Sequence, residues 1–336
     1  MARGVSVLVS DALTRVAVKC HRHLPRMLAL ALAVSITGSI TSAAYAAAGV
    51  DRTGAYLNAY GDECAFGAAH VQALRRHQVL LVPGYLSDLN PANFADHLRW
   101  LASIGVEHKK VAVTSGQSIE INAAIIAATI RASAKPVLLI THSKGSVDAL
   151  EALVTEPSLR AKVSGWISLQ GPFLGSPVAD KLLDGSLLNP LVATVILGFF
   201  GGTRESAQGL TTAASQAYFR AHTGAIAQLV REVPAIAFAS AVDSTPGTAA
   251  NTVLYIPHDM LARDGIRSDG LVPLDAAVLP GMDYVKVLGV DHIATVMPAQ
   301  QPFDRVRMTK ALLLALDAPW RGLPRDAGCK ARPSMR

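Results

Sequence analysis

The pentapeptide Thr141-His142-Ser143-Lys144-Gly145 constrains the fold more than any other stretch of the chain. It follows a short apolar run, Pro136-Val137-Leu138-Leu139-Ile140, and precedes Val147, Leu150 and Val154 at helical spacing. The pattern predicts a strand, a tight turn centred on Ser143 and then a helix. Such a turn lifts a Ser hydroxyl above the end of a sheet. It also puts the next N–H, that of Lys144, at a helix N-terminus, where partial positive charge collects. Gly145 lets the helix and strand approach closely. The usual pattern for such a turn is G-x-S-x-G, and Thr141 stands in its first position. A lone Ser in this setting is more often a turn or helix-cap residue, so the weight rests on the acid and base candidates downstream of it.

A Ser hydroxyl becomes a good nucleophile only when a base takes its proton, and an imidazole titrates in the range that suits this. A carboxylate must then hold the ring in one tautomer. The best downstream acid is Asp269, in Arg267-Ser268-Asp269-Gly270-Leu271, and the best base is His292, just past the alternating run Tyr284–Leu288. Asp-Gly is also a plain turn dipeptide. Asp243, Asp259 and Asp264 compete for the acid and His258 for the base, with Asp243 the runner-up because it follows the apolar run 235–242. His142, adjacent to Ser143, should project away from the hydroxyl and pack or hydrogen bond near the turn. Val79-Leu80-Leu81-Val82 reads as a buried strand, and Pro83-Gly84-Tyr85 turns after it, which offers the Tyr85 N–H as a second donor beside Ser143. The Lys144 side chain reads as a solvated group at a helix start.

Together these residues resemble the α/β-hydrolase superfamily and, within it, the bacterial secreted lipases and esterases. The likeness runs from about Val79 to about Val296. A further piece, Gly171-Pro172-Phe173-Leu174-Gly175-Ser176-Pro177-Val178-Ala179-Asp180, is similar to the P-H-x-G-S-x-x-A-D segment of those lipases. The resemblance implies Ser143 as nucleophile, Asp269 as acid, His292 as base, and Tyr85 and Lys144 as oxyanion N–H donors. It implies an α/β fold with a mostly parallel central sheet, helices on both faces and a helical lid or cap. The chain departs from the pattern at Pro83 and Phe173, where lipases often carry His. Ile293 and Ala294 follow His292 with no acidic residue of the kind that builds a calcium site in some lipases. No metal and no cofactor are expected.

The N-terminal stretch reads as a targeting segment. Arg3, Arg15, Lys19, Arg22 and Arg26 make a basic start; no charge follows from Met27 to Val50, and the run ends in Ala44-Tyr45-Ala46-Ala47-Ala48. Those are the three regions of a secretory signal with an A-x-A cleavage site. The expectation is a signal peptide over residues 1–46 and an α/β-hydrolase domain over 47–336. An uncleaved membrane anchor is the alternative reading, since the uncharged run is long enough to span a bilayer. Residues 1–46 carry five of the 31 Lys and Arg and one of the 25 Asp and Glu, so the net charge falls from +6 to about +2 without them. The basic balance is therefore partly a targeting signal, and no basic run interleaved with aromatics argues for nucleic acid. Cys64 and Cys329 remain near the two ends. In an exported chain they are the pair expected to form a disulfide.

From Val79 onward strand and helix patterns alternate, as in a parallel sheet. The strand candidates are Val79–Val82, Lys110–Val113, Val137–Ile140, Val163–Leu169, Ala235–Val242 and Tyr284–Leu288. The helix candidates are Asn93–Ser103, Ile119–Ala132, Ser146–Val154 and Phe303–Leu316, and the mature segment before Arg75 reads as irregular or peripheral. Residues 177–233 form an insertion that holds the apolar stretch Leu187–Phe200. That stretch is either a mobile lid with transient contact to a lipid interface or a cap helix buried for good; both favour an apolar acyl substrate. Ala214–Leu229 reads as an amphipathic cap helix. The function expected is an exported serine hydrolase cleaving ester or lipid substrates. A polyhydroxyalkanoate depolymerase, a thioesterase, an amidase and a non-catalytic binding protein remain open on the same fold.

Overall fold

The apolar runs of the chain become strands that are buried on both faces, and this sets the architecture. The structure is a computed structural model; it describes residues 49–85, 90–185, 190–199, 203–243, 254–298, 303–316, 320, 322–326 and 329. The segment expected to be a signal peptide, residues 1–46, lies outside the described residues. Among the described residues six strands form one parallel sheet: β1 (Gln78–Val82), β2 (Glu107–Lys110), β3 (Val137–His142), β4 (Val163–Leu169), β5 (Ala235–Ala241) and β6 (Asp283–Leu288). Their spatial order is β2-β1-β3-β4-β5-β6. The order reverses between β1 and β3, and the crevice at the carboxyl ends of strands beside such a reversal is where open α/β sheets bind ligands.

Helices cover both faces. Helices α1 (Thr53–Gly61) and α2 (Ala68–Leu74) precede β1; α3 (Ala95–Ser103) links β1 to β2, α4 (Ile119–Ala132) links β2 to β3, and α5 (Lys144–Thr155) links β3 to β4. Between β4 and β5 come α6 (Pro177–Leu183), α7 (Pro190–Phe199), α8 (Arg204–Gln208) and α9 (Thr212–Glu232). Helix α10 (Tyr255–Arg263) lies between β5 and β6, and α11 (Arg305–Leu316) follows β6. Successive strand side chains point to opposite faces. Val79, Leu81, Leu138, Ile140, Ile167 and Phe238 therefore meet Tyr56, Leu101, Met308 and Leu312 on one face. Leu80, Val82, Leu139, Trp166 and Ala237 meet Ile126, Ile130, Leu150, Leu153 and Ile226 on the other. A third apolar cluster, with Val178, Leu182, Ile196, Leu210, Leu254, Leu271 and Val272, lies over the carboxyl end of the sheet.

Two expectations are corrected. The segment before Arg75 is helical, not irregular: α1 packs against α11 and puts Tyr56 into the core, with its ring edge-on to Phe238 at 5.6 Å. The edge strand β2 spans Glu107–Lys110, not Lys110–Val113. An edge strand with one side open to water tolerates Glu, His and Lys, and it pairs with β1 through Gln78–Leu81. Val111 and Val113 are buried just past its end, so their hydrophobicity marks the core rather than the strand. Cys64 and Cys329 form a disulfide with Cα atoms 5.5 Å apart, joining the segment between α1 and α2 to the end of the described chain.

The turn at the end of β3 is held by close main-chain contact. A Cβ on Gly145 would lie 2.5 Å from the Pro83 carbonyl oxygen and 2.7 Å from that of Val82. Neither atom can swing aside as a side chain could. The Gly145→Ala protein is therefore expected to be destabilised by about 2 kcal/mol or more, read as a thermal midpoint lower by several degrees. A midpoint equal to that of the parent would contradict this contact.

Candidate active site

Ser143 sits at the sharp turn from β3 into α5, with φ 53° and ψ −132°. A non-glycine residue in that region costs about 1–3 kcal/mol and persists only where its surroundings enforce it. Three contacts do so. The Ser143 N–H donates to the Leu169 carbonyl at the end of β4 (2.9 Å), its carbonyl accepts from the Ser146 N–H (2.9 Å), and Gly84 packs so close that a Cβ there would meet the Ser143 Cβ at 2.7 Å. Thr141 replaces the usual first glycine because its hydroxyl is used. It meets the Ser146 hydroxyl at 2.8 Å and accepts from the Trp166 indole N–H at 2.9 Å.

The structure brings Ser143, His292 and Asp269 together. Ser143 Oγ lies 2.9 Å from His292 Nε2, and His292 Nδ1 lies 2.8 Å from Asp269 Oδ2. All three are buried. Asp269 belongs to a tight loop between α10 and β6. Its Oδ1 accepts from the N–H groups of Leu271 (3.0 Å) and Val272 (2.8 Å), and its carbonyl accepts from the His292 N–H (2.9 Å). The loop is pinned to β5 through Val242 N–H to the Ser268 carbonyl at 2.9 Å. The competing residues are engaged elsewhere: Asp259 with Arg263, Asp264 with Lys181, and His258 with the Asp243 carbonyl.

His292 rests on a buried polar frame that the sequence does not announce. Asp291 Oδ1 caps the N–H groups of Ile293 and Ala294, each at 2.8 Å. Gln170, at the end of β4, donates from Nε2 to the Asp291 carbonyl (3.0 Å) and to the Ser240 hydroxyl (2.6 Å), and its Oε1 accepts from the Thr295 hydroxyl (2.8 Å). His142 points away from the Ser143 hydroxyl and donates from Nε2 to the His292 carbonyl at 2.9 Å, with the two rings 4.8 Å apart. Burial, with His292 beside it, holds His142 well below the usual histidine range, so it is the neutral donor. His142 was expected from the sequence to turn away in this manner; for Gln170, Asp291 and Thr295 the only hint was their polar character beside the named residues.

Lys144 corrects an expectation. Its side chain is not solvated but 1% exposed, and Nζ sits 2.7 and 3.0 Å from the two carboxylate oxygens of Asp148 one turn along α5. A charge at the first turn of a helix is usually at the surface; here α4 and the loop after β1 cover it. The Lys144 N–H is at the first position of α5, where the helix leaves its N–H groups without intrahelical partners. Tyr85, the other expected donor, follows Gly84 at the elbow. Tyr85, Ser143 and His292 line a narrow cavity whose other walls are Pro172, Ser176, Leu210, Leu271 and Val272. Its apolar walls beside a hydroxyl–imidazole pair suit a neutral substrate with an apolar group.

The similar segment at 171–180 anchors the insertion over this cavity. Ser176 caps α6 and donates to the Leu271 carbonyl at 2.7 Å, and Asp180 accepts from the Thr212 N–H (2.8 Å) and hydroxyl (2.5 Å) at the start of α9. In α7, Ile196 is buried while Leu191 is 72% exposed. Residues 186–189 and 200–202 of the apolar stretch lie outside the described residues. No described helix is long and apolar enough to cross a membrane. Among the described residues there is no cluster of His, Cys, Asp and Glu arranged to hold a metal ion.

No protein-family model and no curated protein sequence matches the chain. Solved structures do. A metagenomic carboxyl esterase is 25% identical with a TM-score of 0.58, over 72% of this chain and 76% of that one. A Bacillus licheniformis lipase in its mature form is 20% identical with a TM-score of 0.54, over 65% of this chain and 85% of that one. EstA from Clostridium botulinum is 11% identical with a TM-score of 0.50, over 72% of this chain and 87% of that one. The parallel sheet, its strand order and these likenesses define the chain as a protein of the α/β-hydrolase fold.

Several buried histidines couple the fold to pH. Burial holds His97, which bonds the Thr309 hydroxyl, down to about 3, and lowers His70 and His77 as it does His142. Each takes its proton near pH 6.5 when unfolded and only at lower pH when folded, so stability is lost as pH falls through that range. Asp148, which burial pushes up to about 6, works in the opposite sense. The guanidinium midpoint is expected to fall between pH 7 and pH 5, and to fall less in a His97→Gln protein. Parallel behaviour of the two proteins would show that His97 titrates normally in the fold.

Proposed function

We propose that the protein is a serine hydrolase of carboxylic esters, similar in kind to lipases and esterases, in which Ser143, His292 and Asp269 form the catalytic triad. One observation carries this reading: the buried run Ser143 Oγ to His292 Nε2 (2.9 Å) and His292 Nδ1 to Asp269 Oδ2 (2.8 Å) at the carboxyl end of the sheet. The 25% identical carboxyl esterase supports the same class. In this account His292 Nε2 accepts the Ser143 proton as Oγ attacks the ester carbonyl carbon. The N–H groups of Tyr85 and Lys144 stabilise the oxyanion that forms. The C–O bond to the alcohol then breaks, and His292 returns the proton to the leaving oxygen. Water, deprotonated by His292, attacks the acyl-enzyme and releases the acid. Asp269 holds the Nδ1–H tautomer throughout, and its two backbone N–H partners fix the carboxylate in place.

The same reading takes residues 1–46 as a cleaved signal, so that the protein acts outside the cytoplasm. The Cys64–Cys329 disulfide supports export, because such bonds persist in oxidising compartments. The cavity walls, Leu210, Leu271, Val272 and Pro172, favour an apolar acyl group.

Hydrolysis of p-nitrophenyl esters from acetyl to palmitoyl, by the mature protein and its Ser143→Ala variant, tests the class. Turnover in the parent that disappears in the variant is the expected result. No turnover of any ester by a folded parent would overturn it and shift weight to a polymer depolymerase, an amidase or a non-catalytic protein. The acid is tested separately. Asp269→Asn is expected to lower kcat by roughly 10⁴, through loss of the correct tautomer, while Asp243→Asn leaves it within about threefold, as for a side chain outside the triad. The reverse order would remove Asp269 from the mechanism.

A further inference from the structure

Lys144 is 1% exposed, and so is Asp148, its partner. Removing both charges from water is expensive, and apolar side chains of the same volume would pack as well or better. The pair therefore calls for a reason beyond stability, and its neighbours supply one. On one side, Asp148 Oδ2 accepts from Asn122 Nδ2 at 3.0 Å. Asn122, in α4, also grips both main-chain groups of Thr114, accepting from its N–H and donating to its carbonyl, each at 3.1 Å. Through Asn122 the pair is fixed to the loop beyond β2. On the other side, Lys144 Nζ lies 5.7 Å from the centre of the Tyr85 ring, within reach of a cation–π contact. The Tyr85 hydroxyl donates to the Ser206 carbonyl in α8. Tyr85 is thus held between the buried ammonium below and the insertion above.

Tyr85 and Lys144 are the residues whose N–H groups face the oxyanion in the proposed mechanism, and their side chains meet here. We propose that the Lys144–Asp148 ion pair is a positioning device: by fixing the Tyr85 ring it holds the Tyr85 and Lys144 N–H groups at the separation that the tetrahedral intermediate requires. The inference rests on the ester-hydrolase reading for its chemistry, but the strut it describes exists apart from that chemistry. Neither charged group touches the Ser143 hydroxyl or the substrate cavity; both act through the main chain. Ground-state binding is made by the apolar cavity walls, which neither charged group lines, so removing the ion pair leaves it nearly intact, whereas the oxyanion exists only along the reaction path.

The experiment compares the mature parent, Lys144→Met/Asp148→Leu, Tyr85→Leu and the triple variant. The double variant replaces both charges with apolar groups of similar size and so avoids an orphaned buried carboxylate. On p-nitrophenyl butyrate it is expected to lose about 10- to 100-fold in kcat, with KM within about twofold of the parent. Tyr85→Leu should show a similar loss in kcat, and the triple variant little more, because the three residues act as one unit. Hydrogen exchange gives a readout independent of turnover: the amides of Gly84, Tyr85 and Lys144 should exchange faster in the double variant while those of β3 and β4 stay protected. Parental kcat, losses that simply multiply in the triple variant, or unchanged exchange at residues 84, 85 and 144 would each overturn the proposal. A parent that turns over no ester would refute the ester-hydrolase reading instead, and the exchange measurement would still decide the strut. Should the double variant not fold, Tyr85→Leu, which keeps both charges, decides by the same exchange and kcat criteria.

Discussion

Ser143 can stand upright only because two stretches of main chain, one after β1 and one between β3 and α5, approach each other without side chains between them. Gly84 lies against the Ser143 Cβ and the His142 carbonyl, and Gly145 against the carbonyls of Val82 and Pro83. The approach forces Ser143 into a backbone region that residues with side chains avoid. It also sets the N–H of Lys144 beside the loop that carries Tyr85. Ser143, the helix N-terminus and the neighbouring loop are thus one packing problem, solved by two missing side chains. The switch in strand order between β1 and β3 opens the crevice in which the solution is useful.

Around that elbow the loops are placed by buried polar contacts rather than by apolar packing alone. Gln170, Asp291, Thr295 and His142 fix the backbone on either side of His292. Asn122, Asp148 and Lys144 fix the opposite flank. Apolar contacts are non-directional and would let a loop slide by fractions of an ångström. Hydrogen bonds satisfied within a dry interior restrict angle as well as distance. The second kind of restraint surrounds the Oγ, Nε2 and Oδ2 run.

Strand and helix patterns were legible where a segment is buried on two faces or one. The run 163–169 reads as a strand and is β4; 119–132 reads as a helix and is α4. The edge strand β2 was misplaced because its own residues are polar and its apolar neighbours, Val111 and Val113, fill the core from a loop. Helices α1 and α2 were missed because the apolar residues of α1 do not gather on one face and the helix gains its stability from α11, more than 200 residues away in sequence. Ser143, Asp269 and His292 could be nominated from their local turns and their order along the chain. Their meeting depends on three loops at the ends of β3, β5 and β6, which no local pattern encodes.

The amino-acid sequence alone determined the alternation of strand and helix, the strand–Ser–helix turn, and the residue types available as nucleophile, acid and base. These follow from periodicity and from the steric needs of a few backbone positions, both of which are local. Only the tertiary structure decided which carboxylate faces His292, that His142 turns its ring to the His292 carbonyl, and that Lys144 is buried against Asp148 instead of solvated. Each of those outcomes is a matter of distance between elements far apart in the chain. A charge at a helix start looks the same in sequence whether water or another helix lies over it, and burial is settled only when the sheet has brought its loops together.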